Sequence, residues 1–113
     1  YWGEDVKQDY NESNKWYRQA AEQGDMCAQL CLGLSYDKGL GVPQNDMEAA
    51  KWFRKSAEQG YTEAQFCLGF CYEYGCGVVQ NDKEAIKWYR KAAAKGHDEA
   101  NIGLRRCLKK RPQ

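Results

Sequence analysis

Three tryptophans, Trp16, Trp52 and Trp88, stand 36 residues apart, and much of the chain keeps that spacing. Gly24, Gly60 and Gly96 share it, as do Ala28, Ala64 and Ala100, and then Leu32, Leu68 and Leu104. Whole strings return. KWYRQAAEQG (15–24) recurs as KWFRKSAEQG (51–60) and KWYRKAAAKG (87–96), and CLGLSYDKGLGVPQND (31–46) recurs as CLGFCYEYGCGVVQND (67–82). No insertion or deletion breaks the register. A period of roughly 20–50 residues is the mark of a stacked array, in which each unit buries its apolar face only against its neighbours.

Each unit reads as two helices. In the first, Ala64, Leu68 and Tyr72 recur every four residues and so share one helical face. Gly69 interrupts that helix at a cost of about 1 kcal/mol against Ala, which close approach of a neighbouring helix would offset. The helix ends at Tyr-Gly-Cys-Gly (74–77), where glycines supply the turn. The second helix carries Ala49, Trp52, Phe53, Ser56 and Ala57 at helical spacing and stops at Gly60. Asp46 and Asp82 are the expected N-caps, with Glu48 and Glu84 in the first turn. The expected helices are about 10–24, 25–38, 46–60, 61–74, 82–96 and 97–110. They form antiparallel pairs, with no strand signal anywhere.

The chain therefore reads as one repeat domain over 1–113: a second half-unit (1–24), two full units (25–60 and 61–96) and a terminal half-unit (97–113). Residues 1–9 align with the loop at 36–45, with Val6 on Val42, which is expected of a piece of a longer chain. Asp5 takes the place of the loop's second glycine and Tyr10 that of the capping aspartate, so the cap is expected to move to Asp9 or Asn11. At the other end Arg105 replaces Gly69 and Leu108 replaces Tyr72. Arg105, Arg106, Lys109, Lys110 and Arg111 then make a solvated closing helix.

The net charge of +1 offers no field for nucleic acid or an anionic membrane, and no apolar run is long enough to span a bilayer. Six cysteines permit a disulfide framework without establishing it. Cys31 and Cys67 hold one repeat position, and Cys71 and Cys107 another. Equivalent positions in adjacent units lie roughly 9–10 Å apart, beyond the reach of a disulfide of about 7 Å. A diagonal pair such as Cys31–Cys71 stays open. Otherwise these four act as small buried apolar residues, with Cys76 exposed in the Gly-x-Gly loop. Reduced thiols favour the cytoplasm, with the periplasm or secretion as the alternative. The Cys-x-x-x-Cys pairs lack the usual zinc-knuckle spacing.

Gly39-Leu-Gly41 and Gly75-Cys-Gly77 follow helices and lack the Lys-Ser/Thr of a phosphate loop. His97 reads as a solvated residue at a helix start. No nucleophile has an evident base, so the sequence names no catalytic residue, no cofactor and no metal site.

The pattern Ala64…Leu68-Gly69…Tyr72…Gly75-x-Gly77-Val78…Asp82…Ala85…Trp88…Ala92-Ala93…Gly96 resembles the SEL-one-like repeat family, relatives of tetratricopeptide repeats. It recurs from Ala28 to Gly60, and the resemblance covers nearly the whole chain. The resemblance implies an all-α fold, a right-handed superhelix of antiparallel helix pairs, and an adaptor or scaffold role, often bacterial. It also includes a cysteine-rich secreted branch to which penicillin binding and hydrolysis have been attributed. Those relatives bridge the two helices of one repeat, which cannot happen here because 10–24, 46–60 and 82–96 hold no cysteine.

On the first helices, Ala28, Leu32 and Tyr36 face the partner helix, and Leu30, Leu34 and Asp37 point nearly opposite. In the related tetratricopeptide fold these positions line the concave groove. The resemblance thus implies a protein- or peptide-binding groove of Leu30, Leu34, Asp37, Glu63, Phe66, Phe70, Glu73, Tyr74, Ile102 and Arg106, with an apolar centre and a charged rim. The alternative is that these side chains pack between successive first helices. Three functions stay open: an interaction module, a penicillin-binding or hydrolysing relative, and a structural spacer in a longer solenoid.

Overall fold

The computed structural model describes the backbone of residues 2–110 and the side chains of residues 10–110. Among the described residues six helices follow one another: α1 (Trp2–Glu22), α2 (Met26–Lys38), α3 (Asp46–Glu58), α4 (Thr62–Tyr74), α5 (Asp82–Ala94) and α6 (Asp98–Lys110). Among the described residues there is no strand. Each helix packs on the next, α4 also touches α6, and the stack measures 54 × 25 × 23 Å.

One expectation fails at the N-terminus. The stretch aligned with the loop at 36–45 is helical from Trp2, so Asp9 and Asn11 lie inside α1 and not at its start. The reason is local. With Asp5 in place of the second loop glycine and no proline, nothing in 2–9 stops a helix from running on. The other caps also differ by one residue from those expected. Asn45 and Asn81, in extended backbone, accept the Glu48 and Glu84 N–H groups, and Asp46 and Asp82 begin the helices. Asp25 caps α2 by accepting from the Ala28 N–H at 2.9 Å.

The two glycines of each Gly-x-Gly do different work. Gly39 and Gly75, at φ 70° and 69°, end α2 and α4 in the left-handed conformation. Gly41 lies against Tyr10 and Asn14 within α1, and Gly77 lies against the start of α3. A Cβ on Gly77 would come within 2.1 Å of the Asp46 carbonyl oxygen. These loops are packing devices.

The core repeats with the sequence. Trp52 of α3 shares a buried cluster with Ala21, Ala28 and Leu32, and Trp88 of α5 shares one with Ala57, Ala64 and Leu68. Each tryptophan thus seats on the unit before it, while Trp16 is 73% exposed. Leu32 and Leu68 are fully buried, and such burial stabilises by about 1.5–3 kcal/mol per side chain. The helix glycines admit the aromatic of the next helix. A methyl on Gly33 would lie 2.7 Å from the Phe53 ring, and one on Gly69 would lie 2.7 Å from that of Tyr89. Arg18 and Arg54 donate to the hydroxyls of Tyr36 and Tyr72, tying successive second and first helices. With Leu108 at the third tyrosine position, that tie has no counterpart in α6.

Candidate functional site

Along α4 the residues Phe66, Phe70 and Tyr74 follow at four-residue spacing and form a continuous aromatic stripe. Ring centroids lie 6.4 Å apart for Phe66 and Phe70 and 4.7 Å apart for Phe70 and Tyr74. Phe70 is 44% exposed and Tyr74 52% exposed. His97 stacks on Phe66 at 4.7 Å at one end, and the Arg106 guanidinium lies 5.8 Å from the Tyr74 ring at the other. Beside the stripe, between α2 and α4, opens a cleft of about 210 Å³ lined by Leu34, Asp37, Phe53, Phe66, Cys67, Phe70, Cys71 and Cys76.

The structure brings Leu34, Asp37, Phe66 and Phe70 together around this cleft, as four of its walls. Tyr74 and Arg106 continue the surface past it. Glu63 is exposed and accepts from His97 Nε2 at 2.9 Å. His97 Nδ1 accepts the Ala100 N–H at 3.1 Å, so the ring is the Nε2–H tautomer. His97 therefore caps α6 and is tied to Glu63, instead of standing free in solvent.

Two of the expected groove residues lie elsewhere. Leu30 is buried in the core with Phe53, Ala64, Leu68 and Cys71. Its counterparts become progressively exposed, Phe66 being half-buried and Ile102 exposed, since Leu30 and Phe66 meet helices further along the stack and, among the described residues, no helix lies beyond α6. Glu73 is also buried. Its carboxylate accepts from Tyr89 Oη at 2.7 Å, Arg106 Nε at 2.6 Å and Arg106 Nη2 at 2.8 Å, with Lys110 Nζ at 3.5 Å. Burial alone would push this carboxyl up. Hydrogen bonds from Arg106 and Tyr89, with the charges of Arg106 and Lys110, overcome it and hold the group down at about 2. Burial and the bond to Glu73 push the Tyr89 hydroxyl up in turn.

Sequence reasoning missed Phe53, Cys67, Cys71 and Cys76 as cleft walls. Cys76, expected to be exposed, is half-buried against the core, because it follows the helix-ending glycine and folds back over α4. Cys27 is exposed, and Cys31 and Cys67 are half-buried. Burial, then the nearby Glu63 charge, pushes the Cys67 thiol up to about 12. Burial and the neighbouring Cys76 do the same to Cys71. These thiols are protonated at neutral pH, which makes any nucleophilic attack by them slow. Among the described residues no cluster of three His, Cys, Asp or Glu could hold a metal ion, and no helix is long and apolar enough to cross a membrane.

A stack of antiparallel helix pairs with an aromatic-walled cleft between successive first helices defines a helical-repeat solenoid. The Sel1 repeat profile matches residues 1–25, 27–61 and 62–97, and the chain belongs to the Sel1 repeat family. Members of this family commonly serve as protein-interaction modules.

Among solved structures, a Sel1 repeat protein from Oxalobacter formigenes is 46% identical. The match has a TM-score of 0.80 and covers 83% of this chain and 39% of that one. A protective antigen of uropathogenic Escherichia coli strains, c5321, displays an SLR fold at 33% identity and TM-score 0.91, over 94% of this chain and 23% of that one. Helicobacter pylori cysteine rich protein B is 28% identical at TM-score 0.73, over 77% and 65%. The chain thus spans well under half the length of the first two. No curated protein sequence matches it.

Proposed function

We propose that the chain is an adaptor module that binds a peptide or a partner domain across the cleft between α2 and α4. The observation that supports this is the exposed aromatic pair Phe70 and Tyr74 beside a cleft of about 210 Å³. Large aromatic side chains left in solvent next to a concavity are the usual anchors of a protein interface, and a charged rim excludes unselective contacts. Leu34 and Phe66 supply the apolar floor, Asp37 a carboxylate at one wall, and Arg106 a cation past Tyr74. An apolar side chain flanked by polar ones is the ligand this set fits.

The reading is not enzymatic. Ser35 and Ser56 are buried and donate to Asn14 Oδ1 and the Met26 carbonyl, and neither stands beside a base. The six free thiols fit a reducing compartment. The test compares proteins captured from a bacterial lysate by the wild-type chain and by Phe70→Asp, with helical content checked by circular dichroism. A partner lost on the substitution supports the cleft. The same partner on both moves the site to another face, and none on either favours the spacer role.

A further inference from the structure

The turns that end α2 and α4 share one geometry and differ in the side chains it brings together. In both, one carbonyl accepts two backbone N–H groups. That of Ser35 accepts from Gly39 and, at 2.9 Å, from Leu40; that of Cys71 accepts from Gly75 and, at 2.9 Å, from Cys76. Such a turn sets the accepting residue's side chain against that of the residue after the glycine. In the earlier turn the pair is Ser35 and Leu40. In the later one it is Cys71 and Cys76.

The shared hydrogen bond confines the two cysteine Cα atoms to about 5–6 Å, given standard backbone bond lengths. That lies inside the range of about 4.4–6.8 Å spanned by a disulfide. Both side chains belong to one apolar cluster and line the same cleft, Cys71 buried and Cys76 half-buried. Cys67 lines the cleft too, one helical turn before Cys71. Residues four apart on a regular helix keep their Cβ atoms about 5–6 Å apart, and a disulfide needs about 3.5–4.5 Å. Cys67–Cys71 therefore cannot close without unwinding α4.

We infer that Cys71 and Cys76 are a redox-active dithiol, closed to a disulfide by a low-molecular-weight disulfide of the glutathione class. Cys76, the more accessible, reacts first. Its thiolate attacks one sulfur of the reagent, the reagent's S–S bond breaks, and one thiolate leaves. The Cys71 thiolate then attacks Cys76 Sγ and expels the second. Two protein thiols are oxidised to one disulfide, one reagent disulfide is reduced to two thiols, and the two protein protons end on those thiols. Burial holds both protein groups in the thiol form at neutral pH, so closure is slow and is read at equilibrium.

The test incubates the chain with oxidised glutathione to equilibrium, alkylates the remaining thiols, digests with chymotrypsin without reductant and maps the products by mass spectrometry. Cleavage after Phe66, Phe70, Tyr72 and Tyr74 puts Cys67, Cys71 and Cys76 on separate peptides. The expected result is a Cys71–Cys76 cross-link, with both thiols protected from alkylation. The cross-link persists in Cys67→Ser and disappears in Cys76→Ser, both with wild-type circular dichroism. A cross-link through Cys67, glutathione retained on Cys76 with no closed form, or full alkylation of both thiols would overturn the assignment.

Discussion

The carboxylate of Glu73 is fully buried and is clamped by the guanidinium of Arg106, 33 residues further along the chain, through two hydrogen bonds of 2.6 and 2.8 Å. The pair joins α4 to α6. Two-point contact of a planar guanidinium with a carboxylate fixes orientation as well as charge. Lys110 adds a second cation, also 3.7 Å from Asp82.

Removing Arg106 leaves a buried carboxylate with its tyrosine and one partly exposed lysine. Uncoupling a buried ion pair commonly costs about 3–5 kcal/mol. Because the Arg106 side chain is 42% exposed, solvent reaches part of the pair, and a loss of about 2–3 kcal/mol is expected for Arg106→Ala. Arg106→Lys recovers only part, since an ammonium cannot make the paired contact. Urea denaturation of the three proteins at neutral pH measures it. Equal stability of wild type and Arg106→Ala would show that Lys110 alone holds Glu73.

The same carboxylate sets an acid limit. Its folded pKa of about 2 lies below the ordinary 4.5, so its contribution is present above pH 4.5 and is lost as pH falls from there toward 2. The full shift corresponds to about 3 kcal/mol, an upper value given the exposed partners. Glu73→Gln is expected to be less stable than wild type at neutral pH and to show a shallower loss over this window. Denaturant midpoints at a series of pH values test it, and parallel curves for the two proteins would contradict it.

The repeat identities made the architecture legible. With Trp16, Trp52 and Trp88 in register, helix spans such as 61–74 fall within a residue or two of Thr62–Tyr74. Gly69 was legible for the same reason, because a costly residue in a helix implies a close neighbour, and Tyr89 is that neighbour. The cap positions were one residue off, since Asn-Asp offers two good caps and only the extended backbone of Asn45 selects between them.

The burial of Leu30 and Glu73 was not legible. Both hold positions that face outward on an isolated first helix, and it is the succeeding helix that covers them. The Arg106 contact depends on the terminal unit departing from the repeat, where Arg106 occupies the position of Phe70 and reaches back toward α4. Cys76 was misplaced because a Gly-x-Gly loop reads as solvent-facing, while its hydrogen bond to Cys71 folds it inward.

Gly69→Ala weighs helix propensity against packing. An alanine gains about 1 kcal/mol in a helix interior. Here the new methyl would sit 2.7 Å from the Tyr89 ring. That ring is held on its far side by Gly103 and through its hydroxyl by Glu73, so it cannot swing aside. Overpacking typically costs about 1–3 kcal/mol, and a net destabilisation of roughly 1–2 kcal/mol is expected. Thermal unfolding followed by circular dichroism reads the sign. A higher Tm for Gly69→Ala would mean that the helices separate at little cost.

His97 separates capping from stacking at the start of α6. Its Nδ1 accepts the Ala100 N–H, its Nε2–H donates to Glu63, and its ring lies on Phe66. His97→Ala removes all three contacts, and loss of a cap costs about 1 kcal/mol. His97→Asn restores a side-chain acceptor at the cap position, as Asn45 and Asn81 provide for α3 and α5, without the ring. If the cap dominates, His97→Asn stays close to wild type in denaturant midpoint and only His97→Ala falls. If both fall equally, the ring's contact with Phe66 stabilises this end of α4, and the side chain flooring the cleft is positioned by α6 through His97.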